Sequence, residues 1–93
     1  MKSILQENKE CYICETTNWL EEHHVFGGAN RKLSEKYGLK IYLCHNHHNE
    51  PPDGIHFDAW LMDRIKQDAQ QIFMEHYNKT ADEFRQIFGK NYI

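Results

Sequence analysis

The stretch Cys44-His45-Asn46-His47-His48-Asn49-Glu50-Pro51-Pro52-Asp53-Gly54-Ile55-His56 reads as half of two metal sites. Cys44 and His47 are separated by two residues, as are Cys11 and Cys14 upstream. Together these four offer the soft and borderline donors that close a tetrahedral zinc site. His48 and His56 are left over, and a second histidine pair, His23-His24, lies between the two halves of the zinc set. Histidines beyond those a structural ion needs point to chemistry.

Immediately upstream of the stretch, Leu39, Ile41 and Leu43 alternate with Lys40 and Tyr42, which predicts a strand running directly into Cys44. Thr17 to Phe26 holds Trp19, Leu20, Val25 and Phe26 around Glu21-Glu22-His23-His24 and predicts another strand. Adjacent side chains of a strand face opposite ways, so one of His23 and His24 can ligate a metal while the other reaches past it. Gly27-Gly28 ends that strand and opens a loop through Asn30, Arg31 and Lys32, with a helical turn expected from Ser34 to Tyr37 and stopped by Gly38. Further upstream, Cys11 to Cys14 forms a tight knuckle, and Met1 to Glu10 carries no clear pattern beyond a frayed helical turn.

Downstream, a turn of helix near His47 to Glu50 cannot continue through Pro51-Pro52, and Gly54 supports a bend before His56. From Asp58, which can cap a helix, the apolar residues adopt a helical period. Trp60, Leu61, Ile65, Ala69, Ile72, Phe73, His76 and Tyr77 share one side, opposite Asp63, Lys66, Asp68 and Gln71. Trp60 and Phe73 are expected to be packing residues, and His76 to sit at the margin of that core. Thr80 and Glu83 have capping-box spacing ahead of Phe84, Ile87 and Phe88, and Gly89 stops the last helix.

Ninety-three residues make one small domain, a size at which a stabilising metal is physically useful. Three cysteines cannot all pair within one chain, and their spacing is that of metal ligands, so a reducing, cytoplasmic compartment is expected. No leader-like or spanning apolar run is seen, so neither secretion nor membrane insertion is indicated. A net charge of -3 argues against a globally basic nucleic-acid binder. One segment is nevertheless locally basic: Arg31, Lys32, Lys36 and Lys40, with Glu35 the only acid among them.

The order of a strand bearing His-His, a loop, a second strand, a zinc turn and a helix bearing histidine would bring His23 and His24 close to His48. On these residues the chain resembles the HNH (ββα-metal) nucleases, specifically their zinc-stabilised members, in which a C-x2-C and a later C-x2-C or C-x2-H clamp the unit. The elements Glu22-His23-His24-Val25, Gly27-Gly28, Leu43-Cys44, His47-His48 and Gly54-Ile55-His56 are also similar to those of phage recombination nucleases of this family. The resemblance covers roughly Cys11 to His56. It implies an α+β fold in which a ββα-metal unit spans about 11–56 and C-terminal helices about 57–90 of a single domain, 1–93.

The resemblance also implies an activity: metal-dependent hydrolysis of DNA phosphodiester bonds. Cys11, Cys14, Cys44 and His47 would hold the structural Zn2+. His23, His48 and, in third place, His56 would hold a divalent catalytic ion (Mg2+, Mn2+, Ni2+, Co2+ or Zn2+), and His24 would be the general base. Arg31, Lys32, Lys36 and Lys40 are the expected contacts to the phosphate backbone. One such centre cuts one strand, so double-strand cleavage would require a homodimer or a recombination or packaging partner, within the bacterial host of a phage or prophage.

Two departures from the family pattern stand out. Gly38 and Leu39 occupy the place of the family's middle asparagine, which leaves Asn30 or Asn49 to orient the base, and Pro51-Pro52-Asp53-Gly54 is inserted ahead of His56. A second reading is a catalytically silent zinc module that binds nucleic acid or a protein. It predicts one tight metal per chain where the nuclease predicts two.

Overall fold

Strand β1 (Leu20–His24) pairs antiparallel with β2 (Lys40–Cys44) in a two-stranded sheet, with Leu20 opposite Cys44, His23 opposite Ile41 and His24 opposite Lys40. The computed structural model describes residues 1–93. Helix α1 (Arg31–Tyr37) lies in the connection between the strands, and α2 (His45–Asn49) follows β2 without a break. A single helical turn at Ile55–Phe57 leads into α3 (Ala59–Tyr77), and α4 (Ala81–Phe88) completes an α+β fold.

Strand β1 is shorter than the expected Thr17 to Phe26. Trp19 has a positive φ of 57°, which breaks the extended backbone just before Leu20. Beyond His24 the chain turns inward, and Val25 and Phe26 become core residues. The inner face of the hairpin carries Ile41 and Leu43, and the helices bury Ile65, Ala69, Phe73, Phe84 and Phe88 against it. In α3 the buried apolar positions recur at Ile65, Ala69 and Phe73, the four-residue repeat of one helical face, with Gln70 buried beside them. Trp60 departs from the expected packing role and is 73% exposed. It stands in the first turn of α3, and the buried stripe begins only at Ile65.

Three polar devices tie the helices to the strand connection and to the C-terminal residues. Ser34 of α1 is fully buried; its hydroxyl donates to the Phe26 carbonyl (2.8 Å) and accepts from the Phe26 amide (3.1 Å). Buried Gln70 of α3 donates to Asn91 Oδ1 (2.6 Å) and accepts from the Tyr92 amide (2.8 Å), which draws the last residues back across the helices. Asn30 donates to the Phe88 carbonyl at 2.9 Å, so it holds α4.

The first residues form no helical turn. They run as a strap along the free edge of β2, where the Ile4 amide reaches the Gly38 carbonyl (2.9 Å) and Gln6 Oε1 accepts from the Tyr42 amide (2.7 Å). A two-stranded sheet leaves such edge groups unpaired, and the strap satisfies part of them. Gly38 closes α1 at φ +73°, and a Cβ there would stand 2.5 Å from the Lys2 carbonyl oxygen, so the position needs glycine twice over.

Candidate metal centres

The knuckle at Cys11–Cys14 is shaped by its own backbone. The Cys11 amide donates to the Thr16 carbonyl (2.8 Å), the Glu15 amide to the Cys11 carbonyl (2.9 Å), and the Tyr12 amide to the Tyr42 carbonyl (2.8 Å), which anchors the knuckle on β2. Cys44 ends β2 and His47 sits in the first turn of α2, so the second half of the set is built at a strand-to-helix junction. The four donor atoms all lie within 4.8 Å of one another.

Their separations fit zinc. A Zn–S bond of about 2.3 Å in a tetrahedron places two sulfurs about 3.8 Å apart, and Cys14 Sγ stands 3.8 Å from Cys44 Sγ. His47 turns Nδ1 to the set, 3.2 Å from Cys44 Sγ and 3.8 Å from Cys11 Sγ. Electrostatics agree. Burial opposes charge on Cys11, but amides of Cys14, Cys44 and Ile13 outweigh it and bring the thiol down to about 6. Burial and the neighbouring thiols push Cys44 the other way, above its ordinary value. The sulfurs resist a second negative charge until a cation joins them, and a divalent ion supplies that charge.

The second set runs from a buried to an exposed histidine, His23 buried, His48 half-buried and His56 exposed. His23 is on the inner face of β1 and 7% exposed, His48 is on α2, and His56 is in the turn before α3. One ring nitrogen of each lies within 4.8 Å of the others, and His23 Nδ1 stands 3.3 Å from His48 Nε2. Two nitrogens at about 2.0–2.1 Å from one tetrahedral ion would be about 3.3–3.4 Å apart. Burial first, then the nearby His48, His56, His24 and Lys66, lowers the His23 pKa to about 4, so it is a neutral donor at neutral pH.

Glu21, which the sequence reading passed over, orients this set. It shares the inner face of β1 with His23 and accepts from His48 Nδ1 at 2.8 Å. A carboxylate only accepts, so the proton lies on Nδ1 and the Nε2 lone pair is left facing His23. Asn49 also donates to Glu21 (2.6 Å), and His45 bridges Glu21 (3.0 Å) and Glu50 (2.7 Å). The bonds to Glu21 and then Glu50 raise the His45 pKa, and the bonds from His45 and then His48 lower that of Glu21. His45 thus braces Glu21 and Glu50 on the solvent side, and His76 is exposed against Tyr77.

His24 lies on the opposite face of β1. Its Nε2 is 3.0 Å from Glu35 Oε2 on α1 and 3.7 Å from Glu22 Oε1, and it makes no part of the three-histidine set. Asn30 and Asn49 are both engaged elsewhere, so neither orients it. Glu22, His24 and Glu35 also come close enough to hold a cation, but the Lys40 ammonium already fills that role at 2.9 Å from Glu35 and 3.6 Å from Glu22. Lys40 is therefore engaged within the protein. Arg31, Lys32 and Lys36 are exposed.

Both histidine faces open into one cleft of about 490 Å³, lined by His23, His24, His48 and His56 together with Arg31 and, from the far side, Lys66 and Tyr92. Lys66 and Tyr92 were invisible to a sequence reading that placed Lys66 on the polar side of its helix. Only the docking of α3 on the hairpin turns that side toward the histidines. The hairpin followed by a helix, with a three-cysteine, one-histidine cluster and a separate histidine triad, is compatible with a ββα-metal unit. Comparison with protein-family models, curated proteins and solved structures returns no match for this chain. No helix is long and apolar enough to cross a membrane.

Proposed function

We propose that the chain is a metal-dependent endonuclease of the HNH type that hydrolyses DNA phosphodiester bonds, similar to the phage recombination-enhancement nuclease that acts with RecA. One observation carries the reading: three imidazole nitrogens converge on a point inside a cleft that also reaches a fourth, separately held histidine. A structural zinc module has no need of that second set.

The division of labour follows from the two faces of β1. His23, His48 and His56 would hold a divalent ion, which when bound neutralises the scissile phosphate and the leaving oxygen. His24 stands apart from that set and keeps a nitrogen for proton transfer. Water adds to phosphorus as the ester P–O bond breaks; His24 takes the proton of the water, and the departing alkoxide is protonated from solvent. Arg31, Lys32 and Lys36, exposed around the same end of the hairpin, would guide the phosphate backbone, while Lys40 acts indirectly through Glu35. A bacterial cytoplasm, DNA as partner, and a second copy or a recombination or packaging protein for double-strand cuts complete the reading.

Supercoiled-plasmid cleavage measured across divalent metals, with metal content measured in parallel, tests it. His24→Ala is expected to keep both metals and lose on the order of 10²–10⁴-fold in cleavage rate, whereas His23→Ala loses the second metal together with activity. One metal per chain and no cleavage with any divalent ion would establish the silent zinc module instead.

A further inference from the structure

The outer face of β1 holds a second constellation, and it is ordered more tightly than an exposed ion pair requires. His24 and Lys40 are cross-strand partners, with side chains only 11% and 12% exposed. Glu35 reaches over them from α1, which the buried Ser34 hydroxyl fastens to Phe26, two residues beyond β1. Lys40 Nζ donates to both oxygens of Glu35, at 3.1 and 2.9 Å, so the carboxylate is gripped from one side while Oε2 lies 3.0 Å from His24 Nε2.

This geometry selects one form of the imidazole. Glu35 can only accept, so the shared proton belongs to His24 Nε2, and in the neutral ring Nδ1 is then bare. No side-chain nitrogen or oxygen in the protein is fully buried without a partner, and the protein gives Nδ1 none, so Nδ1 keeps some contact with solvent. His24 lines both the shallow basin containing Glu35, Arg31 and Lys32 and the cleft containing the histidine triad. Its two nitrogens therefore have different surroundings.

We propose that Glu35 is the positioning residue of the general base: it fixes the Nε2–H tautomer of His24, aims the bare Nδ1 at the attacking water, and is itself held in register by Lys40. The assignment rests on the nuclease reading and deepens it by supplying the group that orients the base. A fixed carboxylate also stabilises the imidazolium formed when Nδ1 takes the proton. Lys40 first and His24 second hold the Glu35 carboxyl at about 2, which keeps it anionic at neutral pH. Glu22, at 3.7 Å from Nε2, is too distant for a hydrogen bond and is a weaker neighbour.

The test combines a mutant cycle with nitrogen NMR of the imidazoles. Glu35→Ala is expected to lower kcat on the order of 10–10²-fold, with KM and second-metal affinity unchanged, and Glu35→Gln, whose amide oxygen still accepts from Nε2–H, to recover part of that loss. In a His24→Ala background, Glu35→Ala should add nothing, because a positioning residue has no effect without the group it positions. The imidazole spectrum of the native protein should show His24 as the Nε2–H tautomer, with tautomers mixed in Glu35→Ala. Equal losses from Glu35→Ala with and without His24, or an Nδ1–H tautomer in the native protein, would overturn the proposal. A His24→Ala protein that cleaves like the native one would also overturn it, because His24 would then not be the base. Native protein that shows no cleavage with any divalent ion would instead sink the nuclease reading, while the tautomer result still judges the contact itself. Should Glu35→Ala loosen α1, Glu35→Gln carries the same cycle.

Discussion

Glu21 and Glu22 are the same residue type one position apart, yet the pleat sends them to different chemistry. Glu21 turns inward to fix the tautomer of His48, and Glu22 turns outward toward Lys40. His23 and His24 divide in the same way. The alternation was readable from the sequence, but the partners were not, because they come from α2 in one case and from α1 in the other. At this scale the expected outcome concerns Glu21→Ala. Removing the acceptor of His48 Nδ1 should weaken the second metal about 10–100-fold and leave the zinc cluster untouched, as read by competition against a chromophoric chelator at neutral pH. Unchanged affinity would mean that the hairpin alone sets the His48 ring.

Among the elements, those with local signals came out as the residues dictated. Asp58 accepts from the Leu61 amide at the start of α3 (3.0 Å), and Thr80 and Glu83 form a reciprocal capping box at α4, which ends at Gly89. Helix α4 contributes Phe84 and Phe88 to the core, so its start matters to the whole helical layer. Thr80→Ala removes the oxygen that accepts from the Glu83 amide (3.1 Å) and should cost about 1 kcal/mol. That corresponds to a fall in Tm of roughly 4–8 °C for a domain of this size. A thermal melt unchanged within error would show that packing of the phenylalanines sets the helix by itself. Elements without local signals departed from expectation: the start of β1 is cut by the backbone at Trp19, and the N-terminal strap follows an edge that only the finished sheet creates.

Across the molecule, two supports of different kinds meet at β2. On one side the aromatic core of Phe26, Phe73, Phe84 and Phe88 joins hairpin to helices, and on the other the four-ligand cluster joins the knuckle to the β2–α2 junction. Strong chelation should therefore unravel the knuckle and the hairpin end while α3 keeps part of its helicity, seen as loss of amide protection around residues 11–16 and 44–49 with residual far-ultraviolet helical signal. Melting and exchange indifferent to chelation would count against the clamp. The sequence by itself determined the cluster of Cys11, Cys14, Cys44 and His47, the two strands, the principal helix with its cap and the capped last helix. Those depend on spacing, period and capping, which are properties of residues near one another in the chain. Only the tertiary structure decided that Glu35 with Lys40 holds His24, that Glu21 holds His48, and that Lys66 and Tyr92 wall the cleft. Each of those contacts joins residues that are distant in sequence or belong to separate elements, and no local pattern encodes which of several similar charged side chains the docking of α1, α2 and α3 will bring together.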